Sequence, residues 1–413
     1  MKVFMLGWEF PPFISGGLGT ACYGLTKALS RQGTHITFVL PSGADADCDF
    51  MKVLTAQGYL ISNEFKNIRF RTIKSALKPY ISSANLGGSF LSNAQSSQSW
   101  QAGSVSQQHY GRDVLEQVNK FEQNAREIAQ TEDFDIIHAH DWMTFPAAIS
   151  SAQLTGKPSV VHVHSTEFDR SGEHVNQAIY DIERFGMHRA DRIVAVSNYT
   201  KNIITSRYAV SPDKIDVVYN GVEDDGSIRT LEDKKTKIVL YLGRITFQKG
   251  PDYFVDAAKK VLEKMDNVKF IMAGDGDMTR RMIEYAAWLG IGHKIFFTKF
   301  LRGQNVHRAY QMADLYVMPS VSEPFGIAAL EAMKNNVPIL ISKQSGVAET
   351  LHNALKVNFW DVNEMANKMI AVLKYPPLRT MLSENGRREA GTFRWEKSAA
   401  KINEIYKNVL ACA

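Results

Sequence analysis

Short apolar runs rich in Val, Ile and Phe alternate along this chain with longer segments whose apolar residues recur every three or four positions. A continuous apolar run of strand length marks a strand covered on both faces, and the 3.6-residue period marks the helices that cover it. The first half predicts strands at Lys2–Leu6, His35–Leu40, Asp135–His138, Ser159–His164, Arg192–Val196 and Asp216–Tyr219. The rhythm restarts with Lys237–Leu242, Val268–Ala273, Lys294–Thr298, Leu315–Met318 and Pro338–Ile341. An α/β fold with two Rossmann-like, doubly wound domains is the expected architecture.

The first domain is expected over residues 1–222. A charged stretch without apolar period, 223–236, reads as a linker, and the second domain follows over 237–394. Trp395, Ala399, Ile402, Ile405, Tyr406 and Val409 form one stripe, so 395–413 is expected as a closing helix. Ser82 to Gln108 is dominated by Ser, Gln, Asn, Gly and Ala and reads as a long insertion or loop.

Composition narrows the function classes. The net charge of +5 over 413 residues is too small to demand a nucleic-acid partner. Three cysteines without CxxC spacing argue against a disulfide framework and for a reducing, cytoplasmic setting. No run of about 18 uncharged apolar residues occurs, so no spanning helix is expected. The stretch from Thr20 to Ser30 carries only Lys27, so membrane association is not expected either.

Four motifs could carry chemistry. Gly16-Gly17-Leu18-Gly19 follows the first strand and opens a helix, where backbone amides and the helix dipole favour an anion; a purely structural glycine turn is the alternative. Gly243-Arg244-Ile245-Thr246-Phe247-Gln248-Lys249-Gly250 puts two cations at a strand's carboxyl end, placed either to clamp a diphosphate or to lie solvated in the loop. Glu323-Pro324-Phe325-Gly326-Ile327 leads into a helix carrying Glu331, with the amides of Phe325, Gly326 and Ile327 open to a phosphate. Eight helical residues between the carboxylates would span roughly 12 Å, enough to address both ends of one ligand.

The fourth group is His138-Ala139-His140-Asp141-Trp142 with Val161-His162-Val163-His164-Ser165. Strand alternation is expected to turn one histidine of each pair, His140 and His164, into the cleft; a structural hydrogen-bonding role is the alternative. A zinc site is not expected, for want of further ligands at helpful spacing. Asp45-Ala46-Asp47 and Asp275-Gly276-Asp277 read as polar loops. With Arg244 and Lys249 supplying positive charge, neither a metal nor another cofactor is expected.

Taken together and in order, these motifs resemble the GT-B type retaining glycosyltransferases of family 4 and the glycogen and starch synthases. Trp8-Glu9-Phe10-Pro11-Pro12, Val196-Ser197-Asn198, Tyr219-Asn220-Gly221-Val222, Ala273-Gly274-Asp275-Gly276 and the Glu-x7-Glu spacing of Glu323 and Glu331 carry the resemblance. It implies two domains facing a central cleft and a nucleotide-sugar donor, with no metal. By that resemblance Arg244 and Lys249 hold the donor diphosphate, Glu331 the ribose, Glu323 with the amides of residues 325–327 the sugar, and His164 stands beside the transferred sugar. Gly16 and Gly17 are assigned to the donor as well. The family's leaving diphosphate is thought to take the acceptor's proton, so no carboxylate nucleophile is implied.

The run His140-Asp141-Trp142 is expected at the acceptor, since an exposed Trp stacks on a sugar ring while Asp accepts its hydroxyls. Ile14 replaces a synthase lysine, and Gln344-Ser345-Gly346-Val347 is nearer to family 4. The leading expectation is glucose transfer from UDP- or ADP-glucose to an α-glucan. The alternatives are a family 4 transferase using a small-sugar or lipid-linked acceptor, a glycan phosphorylase, or a noncatalytic carbohydrate-binding relative.

Overall fold

The computed structural model describes residues 1–10, 16–42, 67–74, 114–223 and 235–412. The segment 82–108, most of the linker 223–236, Ile14, Cys48 and the Asp45/Asp47 pair lie outside the described residues. The first part of the chain runs β1 (Lys2–Leu6), α1 (Gly17–Arg31), β2 (His35–Ser42), β3 (Ile68–Lys74), α2 (Val114–Thr131), β4 (Ile136–His140) and α3 (Phe145–Thr155). It continues with β5 (Ser159–Val163), α4 (Glu167–Ser171), α5 (Gln177–Arg189), β6 (Arg192–Ala195), α6 (Asn198–Tyr208) and β7 (Ile215–Val217).

The second part runs β8 (Lys237–Leu242), α7 (Pro251–Leu262), β9 (Val268–Ala273), α8 (Thr279–Trp288), β10 (Ile295–Thr298), α9 (Gln304–Met312) and β11 (Leu315–Met318). There follow α10 (Ile327–Lys334), β12 (Ile339–Ser342), β13 (Leu355–Val357), α11 (Val362–Lys374), α12 (Pro376–Ala390) and α13 (Trp395–Cys412). No helix among the described residues is long and apolar enough to cross a membrane.

Two parallel sheets result, ordered β3-β2-β1-β4-β5-β6-β7 and β10-β9-β8-β11-β12-β13. Alternation along β1 shows why both faces are covered. Val3 and Met5 join one apolar cluster, Phe4 and Leu6 the other. The first of these clusters does not stop at the sheet's own helices. It runs on through α1 and α13 to Leu240, Tyr316 and Leu330 of the second sheet's layer, so one apolar body joins the two halves.

Helix α13 returns to the first sheet. Its Trp395 ring lies against Gly24 of α1, the Asn403 side chain accepts from Thr34 Oγ1 at 2.9 Å, and Tyr406 reaches His138. The chain's two passages between the sheets lie side by side, because the N–H of Val222 donates to the carbonyl of Phe393 at 3.0 Å.

In each sheet the strand order reverses beside the first strand, between β1 and β4 and between β8 and β11. Loops leaving the carboxyl ends of such neighbours diverge to opposite faces and leave a crevice there. The motifs singled out above follow β1, β4, β8 and β11, which puts them at these two crevices.

Candidate active site at the two sheet crevices

Strands β8 and β11 are paired, Leu315 opposite Val239, so the loops after them start as neighbours. Lys249, at the end of the first loop, donates from Nζ to Glu323 Oε2 in the second at 2.6 Å, and Ser320 Oγ adds a bond to the same oxygen at 3.2 Å. Glu323 is buried, and its backbone is tied into the loop after β12: its N–H donates to the Gln344 carbonyl and its own carbonyl accepts from Gly346, each at 2.9 Å. A charge fixed on both sides in this way keeps its geometry with little reorganisation. Arg244 is half-buried at the mouth of the same loop, its Nη2 donating to Gln248 Oε1 at 3.2 Å.

Ile327 to Lys334 reads Ile-Ala-Ala-Leu-Glu-Ala-Met-Lys, nearly all strong helix formers, and Gly326 caps the helix with φ of 110°, a conformation that an L side chain resists. The helix starts only at Ile327, so Glu323 and Glu331 are separated by a loop and one helical turn rather than by eight helical residues. The first-turn amides at Ile327 and Ala328 have no intrahelical acceptor. Glu331 accepts a hydrogen bond from Tyr310 Oη at 2.9 Å, and burial holds its carboxyl above the usual carboxylate range. Beside it lies a cavity of about 250 Å³ lined from both halves of the molecule, by Thr20, Tyr23 and Val222 on one side and by Gly303, His307, Tyr310 and Glu331 on the other.

In the first sheet the structure corrects the expected facing of the histidines. Residues two apart on a strand share a face, so His138 and His140 point the same way, as do His162 and His164. All four rings stack in one buried group: His138 on His140 with centroids 4.5 Å apart, His162 on His164 at 4.2 Å. His138 Nε2 pairs with His162 Nδ1 at 3.2 Å, His140 Nδ1 with His164 Nε2 at 2.9 Å, and the Tyr406 hydroxyl meets His138 Nδ1. Burial pushes all four imidazoles down, His140 to about 3, so they are neutral at pH 7.

Ligand atoms of His138, His140 and His162, and separately of Cys22, His140 and His164, come within 4.8 Å of one another. Most of these ring nitrogens are committed to each other or to Tyr406. Asp275 Oδ1 accepts from Gly276 N–H at 2.9 Å and from Thr279 Oγ1 at 3.0 Å, a turn that opens α8.

The acceptor assignment of Asp141 and Trp142 is also corrected. Trp142 is 2% exposed and packs in the core of the first sheet, so its ring offers no platform to a sugar. Asp141 is buried, and its Oδ1 accepts from the N–H groups of His164 at 2.7 Å and Ser165 at 3.3 Å. Its backbone sits at φ 61°, ψ 169°, a region that costs a non-glycine residue about 1–3 kcal/mol. Burial raises its carboxyl to about 7. Asp141 thus holds the loop that carries His164.

Gly16 caps α1 in extended conformation, and a side chain at Gly16 or Gly17 would point into open space. The amide of Gly19, one turn in, is taken by the buried carboxylate of Glu9, which donates nothing and accepts at 3.0 Å. In the sequence the one mark of this role of Glu9 is its place as a lone acidic residue between Trp8 and Phe10. Ser320 and Tyr310 carried no such signal, because only the fold brings them to the carboxylates they hold.

Comparison with known proteins decides the class. A model of glycosyl transferases group 1 matches residues 224–389, and one of Glycosyltransferase Family 4 matches 93–225. This chain is a GT-B glycosyltransferase of family 4. An uncharacterized glycosyltransferase of Methanocaldococcus jannaschii is 28% identical to it, over 98% of each chain. A glycogen synthase of Mycobacterium tuberculosis is 24% identical over 98% of this glycosyltransferase and 94% of that enzyme. The solved structure of a sucrose-phosphate synthase from Thermosynechococcus elongatus shares the fold over the full length of both chains, with a TM-score of 0.78 at 19% identity.

Proposed function

We propose that this glycosyltransferase moves a hexose, glucose in the leading version, from UDP- or ADP-glucose to a carbohydrate acceptor with retention at the anomeric carbon. One observation carries the reading: Lys249 and Glu323 meet at 2.6 Å where the loops of two neighbouring strands diverge, beside the opening turn of α10. Arg244, Lys249 and the α10 amides supply positive charge for a departing diphosphate, strongest where the charge grows as the glycosidic bond breaks. Glu323 accepts the sugar's hydroxyls, and Glu331, beside the cavity lined from both halves, accepts those of the ribose. By the family resemblance the Gly16–Gly17 turn and His164 are assigned to the donor from the first sheet. No metal and no other cofactor has a part in this scheme. The leaving diphosphate takes the acceptor's proton. A cytoplasmic setting, where nucleotide sugars are made, fits the buried free thiol of Cys22.

An α-glucan acceptor is supported by the glycogen synthase relative. Burial of Trp142 removes the stacking platform on which that reading leaned, and favours the second reading, a small-sugar or lipid-linked acceptor. The test offers radiolabelled UDP- and ADP-glucose to the purified protein with glycogen and, separately, with small sugars. Label in polymer supports the glucan version, label in a small product the second, and no release of UDP or ADP in any mixture sinks the glucose-donor reading. An absorbance band of pyridoxal phosphate would point to a phosphorylase instead.

A further inference from the structure

Helix α6 belongs to the first sheet, yet its opening turn is completed by the second. Helix starts leave N–H groups unsatisfied and favour negative charge. The N–H of Thr200 is met by the chain's own cap, Ser197 Oγ, at 3.0 Å. The N–H groups of Asn198 and Tyr199 donate to Glu349 Oε1 at 2.7 Å and Oε2 at 3.1 Å, and the Asn198 side chain adds a bond at 3.3 Å. Glu349 ends the single helical turn Gly346–Glu349 that follows β12. At the start of that turn Gly346 lies so close to α6 that a Cβ there would stand 2.5 Å from the Ser197 Cβ.

The same corner of α6 grips the loop that carries Glu323. Ser197 Oγ donates to the Pro324 carbonyl at 2.6 Å and Thr200 Oγ1 reaches it at 3.3 Å. Ser322 Oγ donates to the buried carboxylate of Asp169, just beyond β5, and shares a bond with Tyr199 Oη at 3.0 Å. Residues 322 and 324, the immediate neighbours of Glu323, are therefore both fastened to the first sheet's layer.

We infer that Glu349 is a positioning residue: by capping α6 from the opposite domain it sets the two halves in the register that holds the Glu323 carboxylate against the reacting sugar. The inference rests on the donor-site reading above. Of the groups assigned to the nucleotide, Arg244, Lys249 and Glu331 stand on the second sheet and the Gly16–Gly17 turn on the first, so nucleotide binding has little need of the cap. Transfer does need it, because Glu323, which holds the sugar, is fastened through residues 322 and 324 to the first sheet's layer.

Glu349 is exposed, so its replacement leaves both cores intact. Wild type, Glu349→Gln and Glu349→Ala are compared by small-angle X-ray scattering, by calorimetric titration with UDP and with ADP, and by turnover of the matching glucose donor. Glu349→Ala should broaden the interdomain distance distribution, leave nucleotide Kd within about twofold, and lower kcat about tenfold or more, since small misplacements across a reacting pair are costly. Glu349→Gln, which keeps an acceptor oxygen, should fall between. Scattering curves that coincide with wild type overturn the inference whatever the rate does. So does an altered curve with kcat unchanged, or a nucleotide Kd that weakens in step with kcat. Should the wild-type protein turn over neither donor, the proposed function falls, and scattering alone decides the role of Glu349.

Discussion

Lys249 and Glu323 face each other at 2.6 Å from loops 74 residues apart in the chain, with side chains 19% and 11% exposed. Taking charges this far out of water is costly unless each answers the other, and removing one strands its partner. The pair therefore fixes where a third, ligand charge can enter.

Lys249→Ala should lower kcat by about 10²-fold or more, the usual scale for losing one preorganised charge at a transition state. Lys249→Arg should restore little, because a planar guanidinium does not reproduce the point charge that Glu323 and a phosphate oxygen share. Steady-state kinetics with saturating donor check this, and a loss below fivefold in the alanine variant removes Lys249 from the mechanism.

Glu331→Ala should weaken UDP or ADP binding about tenfold or more, the scale of a hydrogen bond to a charged group. The pH dependence has a definite sign. Burial raises the Glu331 carboxyl, so it takes up a proton above the ordinary 4.5, and nucleotide affinity should begin to fall on acidification before an exposed glutamate would titrate. For the fold the effect is reversed, since a raised carboxyl favours the native state when protonated and loses that contribution as pH rises through its folded value. Calorimetric titrations between pH 7 and 5 separate the two.

The buried histidines predict acid sensitivity. Each imidazole binds a proton in the unfolded chain near 6.5 but resists it in the fold, His140 down to about 3, so stability is lost as pH falls through that window. Asp141, raised to about 7, acts in the opposite direction between its ordinary 3.8 and that value. The carboxyls of Asp169, Glu183, Asp252 and Glu331, raised by burial as well, act with Asp141, so the comparison of wild type with a histidine variant is what isolates the imidazoles. Between pH 7 and 5 His162→Phe should lose less Tm than the wild type does. An unchanged slope in that variant contradicts the assignment.

Trp142→Ala should cost about 3–5 kcal/mol of stability, as for other large buried aromatics, while Trp142→Phe should leave the acceptor KM within about twofold. A selective rise in acceptor KM with Tm unmoved would return the ring to the acceptor site.

Much of this was legible in the sequence where local rules govern. Apolar runs broken by glycine marked β1, β8 and β11 and the loops after them, and so located Arg244, Lys249, Glu323 and Glu331. The two strands that went unseen, β3 and β13, lie at sheet edges, where one face is exposed and no continuous apolar run is required. The histidine facing failed through a misapplied period, and Trp142 failed because an aromatic after a strand reads alike whether it turns outward or into the core. Glu349 left no trace at all: its partners Asn198 and Tyr199 are 151 and 150 residues away, and only the assembled fold makes them neighbours.

The paired crossings at Val222 and Phe393 place both of the polypeptide's passages at one corner, like two gate pins set close together. With both pins at one corner, any opening of the halves must also break the clasps that Glu349 and Ser197 make across the seam.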